Sequence, residues 1–250
     1  MLEAKDMIFP DWPAPPGVKA FFTTRAGGVS SGAYASMNLG AHVGDSPQNV
    51  AENRRRLHES LPAAPAWLNQ VHGVNVILAE AVQVAHANTV AADGAVTARA
   101  HVPCAVMVAD CLPVLLCTED GSRVGAAHAG WRGLRSGVLE RTVEAMDDSP
   151  AKIMAWLGPA IGPNAFEVGL DVVEAFSPAS VEGASAFRPI IGRHDKYHAD
   201  IYALARQRLH RAGVQNIYGG QFCTVGDPAR FFSYRRDGKT GRMAGLIWIA

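Results

Sequence analysis

The sequence has neither an excess of charge of one sign nor a long apolar run. Its 250 residues carry 23 Lys and Arg against 23 Asp and Glu, which gives a formal net charge of zero. Nucleic-acid binders usually show a basic excess, and disordered tails show a block of like charge. The longest apolar stretch, residues 103–117, is interrupted by Asp110 and Pro113 and is shorter than the roughly 20 residues of a membrane helix. We therefore expect no nucleic-acid partner and no membrane span.

An export signal is also missing from the start of the sequence. Residues 1–16 contain acidic side chains and four prolines, but no apolar segment flanked by positive charge. We therefore expect a cytoplasmic protein with reduced thiols. Of its four cysteines, Cys104 and Cys117 fall in the apolar stretch, and there we expect them to act as small packing residues.

The common signatures of nucleotide and metal sites do not occur. The sequence contains no Gly-x-Gly-x-x-Gly, Walker loop or His-Glu-x-x-His motif. His58-Glu59 begins a zincin-like string, but Pro62 stands where the second histidine belongs. Since there is no Cys-x-x-Cys, a structural zinc finger is excluded as well.

The apolar pattern predicts strands and helices that are intermixed along one chain. Several predicted strands follow one another without a helix between them, which favours a mixed sheet with helices packed on it. We therefore predict an α/β or α+β fold, with a single domain over residues 1–250 that includes an N-terminal extension over residues 1–16. Strands are predicted over residues 18–24, 74–78, 105–109, 114–117, 123–127, 153–157, 215–222 and 244–249, and helices over residues 46–61, 134–146 and 200–213.

Three residues near predicted strand ends have the chemistry of an active centre. His72 precedes Gly73, Cys111 follows a buried strand, and His128 stands among small residues. Active-site groups of α/β folds lie at strand ends. Two histidines and a cysteine suit zinc and leave a fourth position open for water or substrate, although the same donors suit copper. A metal-free alternative makes Cys111 a nucleophile and His128 its base, and spacing alone does not choose between these interpretations.

Other polar residues are weaker candidates for substrate contacts. Arg25 and Asn38 lie in glycine-containing loops that could approach an anion, and Arg132 lies at the start of a predicted helix. Tyr234 and Arg235 belong to a segment rich in aromatic residues and arginines, which is either a substrate wall or a packed hairpin. A surface ion pair is the alternative role for each arginine.

Six motifs in a fixed order resemble one known family. The chain is similar to the YfiH family, also called the multicopper polyphenol oxidase or laccase-like family, to which the mammalian protein FAMIN is related. The resemblance covers about residues 17–249. The motifs are Asn69-Gln-Val-His-Gly73, Ala92-Asp-Gly-Ala-Val-Thr97, Ala109-Asp-Cys-Leu-Pro-Val-Leu-Leu116, Gly125-Ala-Ala-His-Ala-Gly-Trp-Arg-Gly133, Leu157-Gly-Pro-Ala-Ile-Gly-Pro163 and Phe231-Phe-Ser-Tyr-Arg-Arg-Asp-Gly238.

The resemblance implies both a site and a fold. The family's zinc ligands map onto His72, Cys111 and His128, and its fold is one domain of mixed sheets flanked by helices, distantly similar to toxin deamidases with a Cys–His pair. Family members are described as enzymes that phosphorolyse adenosine, inosine and methylthioadenosine and deaminate adenosine. Others are described as phenol oxidases, and one bacterial branch is linked to the fidelity of peptidoglycan precursors.

The histidine spacing ranks these activities. None of the nine histidines is two residues from another, so the His-x-His pairs of a multicopper centre are missing. The prediction is a zinc-dependent purine nucleoside phosphorylase with adenosine deaminase side activity. Arg25 would hold phosphate, with Arg132 in reserve. The alternatives are a hydrolase that edits UDP-muropeptides through Cys111 and His128, a copper-dependent polyphenol oxidase, and a metal-binding protein without enzymatic activity.

Overall fold

The protein folds into three β-sheets and a set of short helices. The computed structural model describes residues 2–84, 90–176 and 185–250. Within these ranges the strands are β1 Met7–Ile8, β2 Val18–Thr23, β3 Val76–Leu78, β4 Gly94–Thr97, β5 Cys104–Val108, β6 Leu112–Thr118, β7 Val124–Ala129, β8 Ile153–Leu157, β9 Glu167–Gly169, β10 Phe187–Pro189, β11 Lys196–Ala199, β12 Asn216–Gly219 and β13 Met243–Ile249. The helices are α1 Pro47–His58, α2 Ala79–Val84, α3 Trp131–Ser136, α4 Val138–Ala145, α5 Leu170–Phe176, α6 Ile201–Arg211 and α7 Tyr234–Asp237.

A four-stranded antiparallel sheet joins the two ends of the chain. Its strand order is β1-β2-β13-β5, so β13 lies between β2 and β5. Gly245 faces Phe22 on one side and Val106 on the other. One face of this sheet packs against α1 through a small core that includes Phe21, Leu57 and Leu246. The predicted N-terminal extension therefore supplies an edge strand, β1, to this sheet.

A six-stranded mixed sheet lies against the other face of the four-stranded sheet. Its order is β12-β8-β6-β7-β4-β3, and β12–β8 and β3–β4 are its parallel pairs. Successive side chains of a strand point to opposite faces. Accordingly Val114 and Leu116 of β6 pack on the helical side, while Leu115 and Cys117 pack toward the four-stranded sheet. Because β6 is buried on both faces, its sequence is a nearly continuous apolar run.

Helices α3 to α6 cover the outer face of the six-stranded sheet. Asp200 caps α6 by accepting the backbone N–H groups of Tyr202 and Ala203, and Gly213 follows the helix with a φ of +92°. The helix predicted over residues 200–213 therefore has these two residues at its ends. The helix predicted over residues 134–146 is instead two helices, α3 and α4. The division falls at Gly137, whose φ of +102° is incompatible with an uninterrupted α-helix.

The predicted mixed α/β class is confirmed, with most of its predicted strands close to their observed positions. Several short elements were missed, among them β1, β4, α2, α5, α7 and the three-stranded antiparallel sheet of order β10-β11-β9. Among the described residues, no helix combines the length and the apolar character needed to cross a membrane.

The turn at residues 109–111 carries the chain from β5 in the four-stranded sheet to β6 in the six-stranded sheet. His128 lies near the end of β7, which pairs with β6. His72 lies in the loop before β3. The three residues with the chemistry of an active centre therefore meet at one end of the layered sheets.

Candidate metal centre

The structure brings His72, Cys111 and His128 into one cluster. Their potential ligand atoms all lie within 4.8 Å of one another. The Cys111 Sγ is 3.7 Å from the His72 Nε2, and the two imidazole rings are nearly perpendicular with centroids 4.8 Å apart. The grouping predicted from the sequence thus exists as a compact set of one sulfur and two nitrogen donors.

Strand pairing and one glycine explain how the cluster fits together. In the β6–β7 pair, Leu112 faces Ala129, which places the preceding Cys111 beside Gly130. A Cβ atom at Gly130 would lie 2.9 Å from the Cys111 Sγ and 2.9 Å from the His72 Cδ2. Contacts that short do not occur for ordinary carbon atoms, so Gly130 keeps the centre open.

Asp93 fixes both histidines from beneath the cluster. Its fully buried carboxylate lies 2.8 Å from the His128 Nδ1. It also accepts the backbone N–H groups of Val71, His72 and Gly73, at 3.2, 2.9 and 2.7 Å. These bonds stabilise the loop in which His72 adopts a φ of +60°. With its Nδ1 engaged, His128 presents its Nε2 as the ligand atom, the usual arrangement of a carboxylate behind a metal-binding histidine.

The ionised forms of Cys111, His128 and Asp93 stabilise one another electrostatically. Burial alone would raise the pKa of the Cys111 thiol, but the positive charge and hydrogen bonds of the two histidines outweigh it and lower that pKa to about 6. Burial opposes protonation of His128, yet Cys111 and Asp93 raise its pKa to about 9. The pKa of Asp93 is lowered despite its burial, because His128 and backbone N–H groups stabilise the carboxylate. The metal-free cluster is therefore a thiolate–imidazolium pair at neutral pH.

The donor set fits a metal ion. A tetrahedral zinc with ordinary Zn–S and Zn–N bonds places its sulfur and nitrogen ligands about 3.6 Å apart. The Cys111 Sγ to His72 Nε2 distance of 3.7 Å is close to that value. Three protein donors leave a fourth coordination position for a water or a substrate, which is the arrangement of catalytic rather than structural sites. The residues themselves suit zinc and copper alike.

Two cavities open beside the cluster, and both are lined by His72, Ala109, Cys111 and Tyr234. The first, here the aromatic cavity, has a volume of about 260 Å³, and its further lining residues are Asp110, Trp131, Arg132, Ile161, Phe166, Ile201 and Arg235. The second, here the cationic cavity, has a volume of about 370 Å³, and its further lining residues are His42, Gln70, Met107, Val108, His128 and Arg242.

Three of the weaker candidates lie at the aromatic cavity. Arg132 is exposed and stacks on Trp131, with its guanidinium carbon 4.5 Å from the ring centroid. Tyr234 is 62% exposed and reaches both cavities. The Arg235 side chain donates to the carbonyl of Glu167, and its backbone N–H donates to Asp110. These placements bring the three residues together with the metal ligands.

Arg25 and Asn38 lie elsewhere. The Arg25 guanidinium donates to the carbonyls of Ala35 and Pro228 and stacks on Phe232, and it does not line either of the two cavities. Asn38 is fully buried, and its side chain bonds the backbone of Gly40 and Arg242. Both residues organise loops in the structure, and their predicted substrate contacts stay predictions.

Sequence reasoning missed the roles of Asp93, Gly130 and Arg242. Asp93 and Gly130 occur inside two of the quoted motifs, so their presence was visible but their function was not. Asp93 acts on residues 20 to 35 positions away along the chain, a relationship that spacing does not reveal. Arg242 reaches the site only because β13 begins beside the turn that carries Cys111.

The chain is similar to known proteins over almost its whole length. A family model described as multi-copper polyphenol oxidoreductase laccase matches residues 19–250. A purine nucleoside phosphorylase of Pseudomonas aeruginosa is 53% identical over 242 residues, covering 97% of this chain and 98% of that protein. The purine nucleoside phosphorylase YfiH of Escherichia coli is 53% identical over 245 residues, with the same coverage. The relatives are named as enzymes, which confirms the prediction of an enzyme.

Solved structures confirm the fold. A Neisseria meningitidis protein of the DUF152 family is 52% identical with a TM-score of 0.92, covering 98% of this chain and 99% of that chain. YlmD from Geobacillus stearothermophilus is 35% identical with a TM-score of 0.88, covering 100% and 98% of the two chains. The arrangement of mixed sheets and helices is therefore shared with both.

Proposed function

We propose that this chain, which belongs to the multi-copper polyphenol oxidoreductase laccase family that includes YfiH, is a zinc-dependent purine nucleoside phosphorylase with adenosine deaminase side activity. The observation that carries the proposal is a three-donor centre with an open position between an aromatic cavity and a cationic cavity. One cavity suits a purine, and the other suits an anion. The names of the relatives support the purine nucleoside phosphorylase activity.

Phosphorolysis needs two substrates on opposite sides of one reacting carbon. An oxygen of hydrogen phosphate forms a bond to C1′ of the ribose, and the bond from C1′ to the purine N9 breaks. Its electron pair leaves with the purine, which takes up a proton, and ribose 1-phosphate is the second product. Adenosine, inosine and methylthioadenosine all contain this bond and are the proposed substrates. The shared walls of the two cavities provide the place where nucleoside and phosphate can meet.

Deamination uses the same purine with water in place of phosphate. A water oxygen forms a bond to C6 of adenosine, the C6–N6 bond breaks, and ammonia leaves to give inosine. When bound, zinc supplies Lewis acidity and lowers the pKa of a water at its open position. His72, Cys111 and His128 would hold the ion, and Asp93 fixes His128 through its Nδ1. Because Gly130 has no side chain, the space beside Cys111 and His72 stays free.

The aromatic cavity is the proposed site of the purine. Trp131, Phe166 and Tyr234 offer ring faces for stacking, and aromatic pairs contribute about 0.5–1.5 kcal/mol beyond the burial of area. Arg132 and Arg235 line the same cavity and can bond the heteroatoms of the base or the ribose hydroxyls. The walls therefore combine apolar surface with a few polar groups, as is typical of small-molecule sites.

Laccase chemistry has less support than phosphorolysis. A multicopper oxidase needs several copper ions, whereas His72, Cys111 and His128 form the only metal-ligating group of this kind in the described ranges. Copper can still occupy the single centre, and quantifying the metal of purified protein separates it from zinc. All four cysteines are free thiols in the structure, which supports the proposal of a cytoplasmic enzyme.

A second candidate follows from the thiolate–imidazolium pair. Cys111 with a lowered pKa beside His128 is the arrangement of a cysteine nucleophile with its base. This arrangement favours the hydrolase that edits UDP-muropeptides. Cleavage of a UDP-muropeptide by protein stripped of metal would support this candidate, and loss of all activity on metal removal would remove it.

The direct test incubates metal-quantified protein with inosine or adenosine, with and without phosphate, and separates the products by chromatography. We expect phosphate-dependent hypoxanthine and adenine, and some inosine from adenosine. Cys111→Ala should lose all three products, whereas the matched Cys223→Ala, which alters a cysteine that does not line the two cavities, should keep them. Zinc-loaded wild-type protein that releases no base in the presence of phosphate would refute the proposal.

A further inference from the structure

We propose, on the basis of the proposed function, that the cationic cavity is the subsite for inorganic phosphate, that His42 and Arg242 bind it, and that Arg54 contributes its charge from behind the cavity wall. Two of these residues, His42 and Arg242, line the cavity directly. This assignment differs from the sequence prediction, which gave the phosphate to Arg25 with Arg132 in reserve. It locates the second substrate next to the open side of the metal centre.

Arg54 lies immediately behind the wall of this cavity. Its Nη2 is 3.9 Å from the Sδ of Met107, which lines the cavity, and its guanidinium carbon stacks 4.3 Å from the centroid of Trp67. Its Nε donates to the carbonyl of Leu39 at 3.0 Å. Arg54 therefore adds a fixed positive charge to the same end of the cavity as His42 and Arg242.

These cations have no anionic partner of their own. Within the described part of the chain, no carboxylate lies within ion-pair distance of Arg54 or Arg242, although both are partly buried. By contrast, the neighbouring Arg55 and Arg56 of α1 both pair with Glu52. A partly buried positive charge without a counter-ion is costly, and an incoming anion removes that cost.

The pKa of His42 reflects the positive charges of the two neighbouring arginines. Burial, followed by the charges of Arg242 and Arg54, lowers the pKa of His42. Burial lowers the pKa of Arg54 to about 10. The negative groups that act on Arg242 are chiefly Cys111 and Asp110. Among the described residues, neither group forms an ion pair or a hydrogen bond with the Arg242 side chain, whose bonds go to backbone carbonyls.

A buried polar network around residues 38–40 holds Arg54 and Arg242 in place. The Asn38 Oδ1 accepts the backbone N–H groups of Gly40 and Arg242, each at 2.9 Å. The N–H of Leu39 donates to the carbonyl of Arg242 at 3.0 Å, so residues 38–40 pair with the segment just before β13. A Cβ atom at Gly40 would lie 2.8 Å from the Arg242 Cγ, so this glycine allows the arginine stem to pass. Asn38 is thus a positioning residue for the phosphate subsite.

The Arg242 guanidinium keeps part of its hydrogen-bonding capacity for a ligand. Its Nη1 donates to the carbonyls of Thr240 and Gly241, at 3.1 and 3.0 Å. Among the described residues, no acceptor is bonded to its Nε or Nη2. Two such N–H groups match the spacing of two phosphate oxygens, which is why arginine binds phosphate in a bidentate manner.

The test compares the kinetic constants for the two substrates. For Arg242→Gln, we expect the KM for phosphate at saturating inosine to rise about tenfold or more, because a charge-assisted bidentate contact is lost. The KM for inosine at saturating phosphate should change far less. For Arg242→Lys, the KM for phosphate should lie between those of wild type and Arg242→Gln, because lysine keeps the positive charge but cannot form the bidentate contact of the guanidinium. The matched control is Arg141→Gln, which removes an exposed arginine of α4 paired with Glu144.

A direct binding measurement distinguishes a wrong assignment of the phosphate subsite from a wrong assignment of the enzymatic activity. Titration of zinc-loaded protein with inorganic phosphate by calorimetry, without nucleoside, should show binding in wild type that weakens in Arg242→Gln and His42→Asn. If wild type binds phosphate in this manner but releases no purine, the proposed function fails and the subsite stands. If Arg242→Gln and His42→Asn retain their zinc, with wild-type phosphate binding and KM, the subsite is overturned. Binding of adenosine 5′-monophosphate without binding of inorganic phosphate would overturn it too.

Discussion

The carboxylate of Asp110 accepts the backbone N–H of Arg235 at 2.6 Å, across the mouth of the metal centre. Its other oxygen accepts the hydroxyl of Thr224, also at 2.6 Å. Asp110 has a φ of +87° and immediately precedes Cys111. The turn that presents the thiolate is therefore bonded directly to the start of α7, where Tyr234 lies over both cavities.

Breaking this link should affect nucleoside binding more than metal binding. In Asp110→Asn, an amide NH₂ can face the N–H of Arg235, and the position of Tyr234 is no longer fixed. We expect the KM for inosine to rise about tenfold, the size expected for losing a charge-assisted hydrogen bond, with the zinc content unchanged. Steady-state kinetics with metal analysis would check this. Asp195→Asn is the matched control, because Asp195 also has a positive φ but is exposed in the β10–β11 turn. Loss of zinc with an unchanged KM would contradict the prediction.

Asp93 should control the metal affinity. Asp93→Asn removes the charge that stabilises His128 and one acceptor for the loop carrying His72. Substitution of a group that hydrogen-bonds a metal-binding histidine typically reduces metal affinity about 10–100-fold. Because the carboxylate is fully buried, the free energy of unfolding should also fall by about 1–3 kcal/mol. Competition with a zinc chelator and urea denaturation measure the two effects, and Asp148→Asn on the loop after α4 is the control. Unchanged zinc affinity would argue against the role of Asp93.

Gly130 offers a test that leaves the backbone unstrained. Its φ of −65° and ψ of 158° are accessible to alanine, so Gly130→Ala should fold normally. The added methyl group would meet Cys111 and His72 at 2.9 Å and force the donors apart. We expect zinc affinity to fall about tenfold or more, and activity to fall with it. Gly17→Ala is the control, because a Cβ atom there meets nothing within 4 Å. Full zinc binding by Gly130→Ala would show that the cluster tolerates a wider geometry.

Metal removal should expose one thiol. Burial raises the pKa of Cys117 to about 12 and raises that of Cys104 as well, so neither should react in the folded protein at pH 8. In a Cys223→Ser background, we therefore expect no rapid reaction of zinc-loaded protein with a thiol reagent. After chelation, one thiol, Cys111, should react quickly because its pKa is lowered to about 6. A rate that does not depend on the chelator would mean that Cys111 is not a metal ligand.

Tyr202 should matter for stability. Its buried hydroxyl accepts the N–H of Ala160 at 2.8 Å and lies within hydrogen-bonding distance of the carbonyls of Gly158 and Phe222. Tyr202→Phe leaves these backbone groups without that partner, which costs about 1–3 kcal/mol of unfolding free energy. Urea denaturation measures the loss, with the partly exposed Tyr197→Phe as control. A difference from wild type below about 0.5 kcal/mol would show that the backbone groups find other partners.

Long apolar elements could be predicted from the sequence, and elements of three or four residues could not. The strand over residues 153–157 has the predicted bounds, because five consecutive buried side chains mark it. Strand β4 has four residues, Gly-Ala-Val-Thr, and β10 has three, and neither is long enough to show a period. Their positions are fixed by pairing with distant strands, which no local pattern records.

The same distinction holds for the site. His72, Cys111 and His128 could be proposed because their side chains carry metal-binding chemistry in any context, and the structure brings them together. The effect of Asp93 depends on tertiary contacts with Val71, Gly73 and His128. Likewise, the proposed role of Arg242 depends on residues 38–40, which are close to it only in the folded chain.

The central position of β13 in its sheet means that this sheet can be completed only after the C-terminal end of the chain has been translated. Strands β2 and β5 each have an edge that stays unpaired until β13 has been synthesised. In the folded protein β13 pairs with both, with Gly245 facing Phe22 of β2 and Val106 of β5. On the ribosome, most of the chain emerges while these two strands still expose unpaired edges, and such edges are prone to aggregation. Arg242, which we assign to the phosphate, arrives in the same final segment. We therefore expect nascent chains to depend on chaperones until translation is nearly finished, and a premature stop codon before residue 242 to yield an aggregating product rather than a weakened enzyme.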